Sequence, residues 1–398
     1  MLNHLTRKSD KSDLAAFVAS SKKRPQQPLR VMFLITSMPV GGAETLLVNL
    51  VRCFDRQRIE PLIACLKEPG ELGEVIRKEV PLYDSLIGGK FDIRVILRLR
   101  KLFRYEQVDA VITVGAGDKM FWGRMAAKYA GVPVILSALH STGWPDGVGK
   151  LNRMLTPITD GFIAVAGDHR EFLIDFEKFP EHKVRLIPNG IDSSRFVFNG
   201  EARSQFRKEY GIPEHAPVCG IVAALREEKN HDMFIKLAEH CGKKNTDSHY
   251  VIVGDGPERE RLEAIAGKTE ISERIHFTGT RKDIPELLSA FDIFALTSHN
   301  EASPVSILEA MSCSRPVIAP DVGSISQAVI DGKTGFLFEK GDFEGAAKRW
   351  MQLISNADLM RRMGNDGRQH VVSYGSLESM TEGYQRLVEE IYMRKRDS

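Results

Sequence analysis

FDIFALTSHNEASPVSILEAMSCSRPVIAP, residues 291–320, is the stretch that decides the fold. Residues 292–297 form a short apolar run, which is typical of a strand buried on both faces. Ser303 and Pro304 then predict a helix, with the serine as N-cap and the proline as the first helical residue. The helix ends before a second predicted strand at residues 317–319. This βαβ unit places a helix N-terminus at the carboxyl edge of a parallel sheet, where open α/β folds bind their ligands.

The helix N-terminus predicts an anion site, and two glutamates flank it. Free N–H groups and the helix dipole favour a negative ligand beside Pro304, Val305 and Ser306. Glu301 precedes the helix, and Glu309 lies in its second turn. Carboxylate oxygens near an anion are suited to accepting hydrogen bonds from sugar and ribose hydroxyls. Alternatively both glutamates are simply solvated, as is usual for this residue type.

Glu301 and Glu309, with seven residues between them and the sequence PVIA at 316–319, resemble the signature of the retaining family 4 glycosyltransferases. The resemblance implies the two-domain GT-B fold and the use of nucleotide-diphosphate sugars without an essential metal. It also implies that Glu301 contacts the donor sugar and that Glu309 binds the ribose hydroxyls. Ala302 and Ser314 stand where the family usually has glycine, so the sugar pocket is expected to differ in shape.

Two cations in the second half predict a further anion-binding turn. Arg226 and Lys229 follow the predicted strand at 218–225, and Asn230 is expected to cap the next helix. A surface Arg/Lys pair is otherwise commonly just solvated. The segment resembles the family's Arg-x-x-x-Lys-Asn motif, whose cations bind the diphosphate. The resemblance also places Arg281, which follows the strand at 275–279, near the nucleotide base.

Glycines open the first half of the chain. Gly41 and Gly42 follow the first predicted strand and begin a helix that carries Glu44. Paired glycines allow backbone amides to approach a ligand, although many such turns carry glycine for packing alone. The turn resembles the family's Gly-Gly-x-Glu motif, which faces the donor diphosphate and the acceptor.

Polar residues follow two later strands of the first half. Asp118 and Lys119 follow the strand at 110–114, and they are either acceptor contacts or solvated loop residues. His140 follows the next strand. The resemblance places this histidine near the donor sugar and the reacting centre, for sugar contact or polar stabilisation and not as a general base.

The sequence of residues 92–105, DIRVILRLRKLFRY, predicts a basic amphipathic helix. Such a helix can bind an anionic membrane surface, because cations and apolar side chains act there together. It can equally be an ordinary helix that packs on the sheet.

Length and composition indicate an ordinary globular protein of two or three domains. The chain has 398 residues, 42% hydrophobic and 27% charged, with a net charge of +2. This balance gives no reason to expect a nucleic-acid partner. The five cysteines form no Cys-x-x-Cys pair or zinc-type cluster, which indicates a reducing compartment and no metal site. The expectation is a cytoplasmic protein, free or bound peripherally at the inner face of the membrane.

Four segments are predicted, in an α/β architecture with two Rossmann-like doubly wound parallel sheets facing a cleft. Residues 1–28 form a loose extension, and residues 29–195 form an acceptor-binding domain. Residues 196–378 form a nucleotide-sugar-binding domain. Residues 379–398 form a helix that packs back on the first domain.

The predicted function is that of a retaining hexosyltransferase, acting in polysaccharide or glycolipid biosynthesis. It transfers a sugar from a nucleotide-diphosphate donor, UDP before GDP, to a saccharide or lipid-linked saccharide acceptor. No Asp-x-Asp triplet occurs in the sequence, and no cofactor is expected. The alternatives are a sugar-nucleotide epimerase or phosphorylase of the same fold, a non-catalytic sugar-nucleotide-binding subunit, and a membrane-surface module.

Overall fold

The computed structural model describes residues 27–89, 92–115, 118–139 and 152–397, with only the backbone at 118–120 and 374. Within these residues the chain forms two parallel sheets of seven and six strands. Helices alternate with the strands along the chain. The predicted α/β architecture of two parallel-sheet domains is confirmed.

The first sheet has the strand order β3-β2-β1-β4-β5-β6-β7, with every neighbouring pair parallel. All residues of β4 and β5 are buried, because helices cover both faces of the sheet. Its strands are β1 (Leu29–Ile35), β2 (Ile59–Cys65), β3 (Leu82–Tyr83), β4 (Ala110–Val114), β5 (Val134–Ala138), β6 (Gly161–Ala164) and β7 (Val184–Leu186).

The second sheet has the order β10-β9-β8-β11-β12-β13, again parallel throughout. Because β8 and β11 are neighbours, the loops that follow them open at the same edge. Its strands are β8 (Val218–Val222), β9 (His249–Val253), β10 (Ile275–Gly279), β11 (Ile293–Ala295), β12 (Val317–Pro320) and β13 (Gly335–Phe338).

Helices lie on both faces of each sheet. In the first domain they are α1 (Gly42–Cys53), α2 (Gly70–Ile76), α3 (Val95–Tyr105), α4 (Asp118–Ala130) and α5 (Gly167–Glu171). The later helices are α6 (Gly200–Glu209), α7 (His231–Lys244), α8 (Arg259–Ala266), α9 (Ile284–Ala290), α10 (Val305–Ser312), α11 (Ile325–Ala328), α12 (Phe343–Ile354), α13 (Ala357–Tyr374) and α14 (Leu377–Arg396). No helix among the described residues combines the length and apolarity that crossing a bilayer would need.

The last helix, α14, lies against the first sheet. Its residues Leu377, Tyr384 and Ile391 are buried in the same cluster as Phe33 of β1. Arg58 binds Glu382 and Glu389 of α14, each at 2.6 Å. The C-terminal end of the chain therefore contributes to the core of the first domain.

Two predicted helix starts need correction. Helix α10 begins at Val305, one residue later than predicted, because Pro304 has an extended ψ of 110° and takes the N-cap position in place of Ser303. Asn230 does occupy the N-cap position of α7, but its side chain caps no N–H group. Its backbone is left-handed, with φ and ψ both 50°, and this conformation differs from the extended one that capping side chains prefer.

Candidate active site between the two domains

The carboxyl ends of β8 and β11 bring two distant loops together. The backbone N–H of His299 donates to the carbonyl of Glu228 at 2.9 Å. The Thr297 hydroxyl lies 3.2 Å from the carbonyl oxygen of Lys229 and 2.9 Å from that of Asn230. The loop after β8 and the loop after β11 are therefore held as one unit.

Lys229 and Glu301, both predicted site residues, meet at the centre of this unit. The Lys229 Nζ lies 2.6 Å from Oε1 of Glu301. The Ser298 hydroxyl donates to the same oxygen at 2.7 Å. The two charged side chains are 25% and 10% exposed, so the ion pair is largely shielded from water. Residues 72 positions apart in sequence thus share one small polar site.

The N-terminus of α10 adjoins this pair and lies between the two domains. The first N–H groups of a helix have no partner within the helix, and Pro304 supplies no side-chain cap. The Val305 side chain packs against the hydrophobic clusters of both domains. The Asn189 side chain of the first domain donates to the carbonyl of Ser303 at 3.3 Å. Val305 and Ser306 therefore present their amides at the domain junction.

A close backbone approach fixes the Glu301 loop. Gly323 has a left-handed φ of +55°, and an added Cβ would lie 1.7 Å from the Glu301 carbonyl oxygen. The next residue, Ser324, donates its N–H to that oxygen at 3.1 Å. Only glycine fits at position 323, which a sequence reading without this contact could not show.

Glu309 lies in the second turn of α10 and is partly buried. Burial raises the pKa of its carboxyl to about 7, and the nearby Arg195 guanidinium opposes this shift. Among the described residues, no hydrogen-bond donor reaches the carboxyl. It is therefore available to a ligand as a hydrogen-bonding group whose charge changes near neutral pH.

The first domain faces the same cleft through α1. Burial raises the pKa of Glu44, and its own backbone N–H and the charge of Arg226 in the second domain oppose this shift. The Arg226 side chain is 63% exposed, and its Nη1 lies 3.9 Å from Oε1 of Glu228. Gly41 is the N-cap of α1, and no atom lies within 4 Å of a Cβ placed on Gly42. The glycine turn and Arg226 thus come together across the cleft.

Of the remaining predicted residues, only Arg281 has a described side chain, and it lies apart from this centre. Arg281 follows the edge strand β10, two strands from β8, and makes hydrogen bonds of 2.8 and 2.6 Å to Asp283. Asp118 and Lys119 form the first turn of α4, and their side chains are outside the description. His140 also lies outside the described residues.

Ser298, Gly323 and a contact between the domains were missed by the sequence reading. Gly167 of the first domain donates its N–H to Oε1 of Gln327 in the second at 2.6 Å. No motif pointed to these residues. In the described part of the chain, no group of three or more His, Cys, Asp and Glu residues could hold a metal ion.

Comparisons with known proteins agree with this architecture. The Glycosyltransferase Family 4 model matches residues 40–195, and the Glycosyl transferases group 1 model matches residues 202–370. The chain is 28% identical over 365 residues to the putative glycosyltransferase EpsF of Bacillus subtilis (strain 168), covering 86% of this chain and 94% of that protein. It is 30% identical over 308 residues to N-acetyl-alpha-D-glucosaminyl L-malate synthase of Bacillus anthracis, covering 76% of this chain and 80% of the relative.

Solved structures share the fold at lower identity. The crystal structure of Anabaena Alr3699/HepE in complex with UDP matches with a TM-score of 0.80 at 19% identity, covering 91% of this chain and 100% of that one. WaaG, a glycosyltransferase involved in lipopolysaccharide biosynthesis, matches with a TM-score of 0.71 at 15% identity, covering 90% of this chain and 99% of its own. The chain therefore belongs to the family 4 glycosyltransferases and has their GT-B fold.

Proposed function

We propose that this glycosyltransferase transfers a sugar from a UDP-sugar to a saccharide or lipid-linked saccharide, with retention of anomeric configuration and without a metal. The observation that carries the proposal is the shielded Lys229–Glu301 pair beside the N-terminus of α10. This arrangement offers a cation and free amides to a diphosphate, and a carboxylate to the attached sugar.

The charge that develops during the reaction falls on the diphosphate. Breaking the bond between the anomeric carbon and the phosphate oxygen leaves negative charge on the nucleotide. Arg226, Lys229 and the first amides of α10, at Val305 and Ser306, stabilise that charge. Glu301 accepts hydrogen bonds from the donor sugar. Glu309 accepts them from the ribose, and Arg281 lies near the base.

The acceptor approaches from the first domain. Gly41 and Gly42 allow close approach to the diphosphate, Glu44, Asp118 and Lys119 contact the acceptor, and His140 contacts the sugar. The acceptor oxygen bonds to the anomeric carbon on the face that the phosphate leaves, and the departing phosphate oxygen takes the acceptor proton. Retention follows because attack and departure share one face.

The names of similar proteins support the choice of donor and acceptor. A relative in Escherichia coli, 27% identical over 293 residues, is named UDP-Gal:alpha-D-GlcNAc-diphosphoundecaprenol alpha-1,3-galactosyltransferase. A relative in Mycolicibacterium smegmatis is named as dependent on GDP-mannose. The relative named for UDP-Gal is the more similar of the two, at 27% against 23% identity, which supports UDP before GDP, and its diphosphoundecaprenol acceptor makes a lipid-linked acceptor the first substrate to assay.

A screen of nucleotide sugars tests the proposal. UDP-glucose, UDP-galactose, UDP-N-acetylglucosamine and GDP-mannose are compared for thermal stabilisation. A ligand at 100 times its Kd stabilises the native state by about 2.7 kcal/mol. The stabilising donor is then incubated with saccharide and undecaprenyl-diphosphate-linked acceptors in EDTA, and the product anomer is determined by NMR. An inverted product, a requirement for metal, or an epimerised donor in place of transfer would each contradict the proposal.

A second proposal concerns the outer face of α3, which we infer attaches to anionic membrane surfaces. The helix buries Val95, Leu99 and Phe103 on one side. On the other side, Leu97 and Tyr105 are 63% and 68% exposed. Residues 93–105 contain five Arg or Lys residues and no acidic residue. Exposed apolar side chains between cations favour an anionic lipid surface.

The neighbouring residues extend this face. Ile93, just before the helix, is 67% exposed, and Tyr129 at the end of α4 is 59% exposed. Arg100, in the middle of α3, donates to the carbonyl of Tyr129 at 3.2 Å, so the end of α4 lies beside α3. Aromatic residues beside cations are common at membrane interfaces.

Vesicle sedimentation tests the attachment. Wild type is expected to bind phosphatidylglycerol vesicles and not pure phosphatidylcholine. Each surface cation contributes about 1 kcal/mol, so the double variant Arg94→Glu/Lys101→Glu should bind at least about tenfold more weakly. The matched control, Lys208→Glu/Lys348→Glu, reverses two exposed lysines of the second domain and should bind as wild type does. Equal losses in both double variants would contradict a specific role for α3.

A further inference from the structure

Among the described residues, the contacts that hold the Glu301 carboxylate reach one of its two oxygens. Ser298 donates to Oε1 at 2.7 Å, and Lys229 reaches the same Oε1 at 2.6 Å. No described residue donates to Oε2. The carboxylate therefore has one oxygen engaged with the protein and one oxygen left for a ligand.

Of the two donors, Lys229 has a competing role in the proposed reaction. A bound diphosphate carries more negative charge than a carboxylate and draws the Lys229 ammonium toward itself. Ser298 has no such competitor, because it is 1% exposed and lies within the loop that follows β11. Its hydroxyl can keep Glu301 in place after Lys229 has turned to the ligand.

The backbone around Ser298 is fixed on both sides. The hydroxyl of the preceding residue, Thr297, holds the carbonyls of the loop after β8, and the N–H of the following residue, His299, donates to Glu228. The Glu301 carbonyl accepts from Ser324. Because the chain is held at both ends, the serine hydroxyl has a defined direction, and a group fixed in this way orients a flexible glutamate before the substrate arrives.

We propose that Ser298 is a positioning residue that fixes Glu301 with Oε2 directed at the donor sugar. This inference rests on the proposed function, because it assumes that Glu301 contacts that sugar. It makes a distinction that can be measured: Ser298 should matter for the sugar of the donor and not for its nucleotide.

The test compares binding of UDP with binding of UDP-glucose by calorimetry, and of GDP with GDP-mannose in parallel, together with turnover of the donor found in the screen. In Ser298→Ala the Kd of the free nucleotide should stay within about twofold of wild type. The Kd of the sugar nucleotide should rise, and kcat should fall about tenfold or more, the usual consequence of losing a hydrogen bond to a charged group. Ser298→Thr keeps the hydroxyl and should retain most of the turnover.

The matched control is Ser289→Ala. Ser289 is another fully buried serine of the second domain, and its hydroxyl donates to the carbonyl of Pro285 at 2.8 Å. This variant should lose thermal stability without changing the ratio of nucleotide to sugar-nucleotide affinity. Wild-type turnover in Ser298→Ala, or equal losses of nucleotide and sugar-nucleotide binding, would overturn the positioning role alone. A wild-type protein that transfers sugar from none of these donors would overturn the proposed function as well.

Discussion

The two domains present very different helix N-termini to the cleft. At α10 the charged groups are paired within the second domain: Lys229 is paired with Glu301, and Ser298 donates to the same carboxylate oxygen. At α1 the first domain offers Glu44, and the cation that opposes its raised pKa, Arg226, belongs to the other domain. The second-domain site is thus assembled within one domain, whereas the first-domain site depends on the two domains being together.

This difference fits a division of labour in the proposed reaction. A preassembled site loses little conformational freedom on binding, and this favours tight binding of the donor. A site that needs a residue from across the cleft is complete only when the two domains lie together. The comparison therefore predicts that changes near α10 affect donor and turnover, while changes near α1 affect chiefly the acceptor.

The largest expected effect comes from Lys229→Ala. The variant should lose about 2–4 kcal/mol of transition-state stabilisation, because the cation that stabilises the departing diphosphate is gone. Glu309→Ala should cost a similar amount. Steady-state kinetics with the identified donor measure both losses. Lys236→Ala, which removes an exposed lysine of α7, is the control and should keep wild-type turnover. Wild-type turnover in both site variants would refute the assignment.

A pH-dependent stability difference is expected next, at Glu309. Its pKa in the folded protein is about 7, above the usual value, so between about pH 4.5 and 7 the folded state holds a proton that the unfolded state has lost. Stability contributed by this group is therefore present below pH 4.5 and falls as the pH rises to 7. Above that range the folded protein carries a partly buried charge at a constant cost, on the order of 1–3 kcal/mol.

Glu309→Gln removes this titration while keeping the shape of the side chain. Relative to wild type, the variant should gain stability between pH 5 and pH 8, measured by urea unfolding at each pH. Taking the difference between the proteins cancels other groups, such as the buried His231, whose pKa is lowered to about 4. A difference that does not change with pH would show that Glu309 ionises normally.

Sequence reasoning predicted the frame of this site but not its internal contacts. The strand predicted at residues 110–114 is observed as β4 over the same residues, because strands buried on both faces leave continuous apolar runs. Lys229 and Glu301 could be assigned to one edge, because the carboxyl ends of parallel strands share it. Their direct pairing, and the shared hold of Ser298 on Oε1, depend on side-chain directions that no spacing specifies.

Backbone exceptions show the same limit. Asn230 was expected to cap α7 through its side chain. Its backbone is left-handed at the start of the helix, and its side chain accepts no hydrogen bond from a helical N–H group. Gly323 carries no motif, and its necessity arises from a carbonyl 22 residues earlier, that of Glu301. Local propensity describes a residue and its neighbours in sequence, whereas these features are set by a neighbour in space.

Glu44→Gln tests the first-domain side of the comparison directly. The change removes the negative charge that Arg226 stabilises across the cleft but keeps the shape of the side chain. The KM for the acceptor should rise about tenfold, as for loss of one charged hydrogen bond, and the Kd of the free nucleotide should stay within about twofold. A loss of nucleotide affinity equal to that of Lys229→Ala would mean that α1 belongs to the donor site, and the division between the domains would fail.

The smallest expected effect is a gain in stability from Ser314→Gly, at the end of the helix that carries Glu309. Ser314 has a left-handed φ of 58°, where a Cβ costs about 1–2 kcal/mol. Glycine removes that strain but makes the unfolded chain more flexible, at a cost of about 0.5–1 kcal/mol, so the net gain should lie between about 0 and 1.5 kcal/mol. Ser355→Gly is the control, because Ser355 ends α12 with an ordinary φ of −80° and should only lose stability. The gain in stability is measured by chemical denaturation. Because Ser314 lies at the opposite end of α10 from the site, the Kd of the donor, measured by calorimetry on the same samples, should be unchanged. A change in donor affinity would instead mean that the strained turn helps to set the position of α10, and that the preassembled site depends on strain stored at its far end.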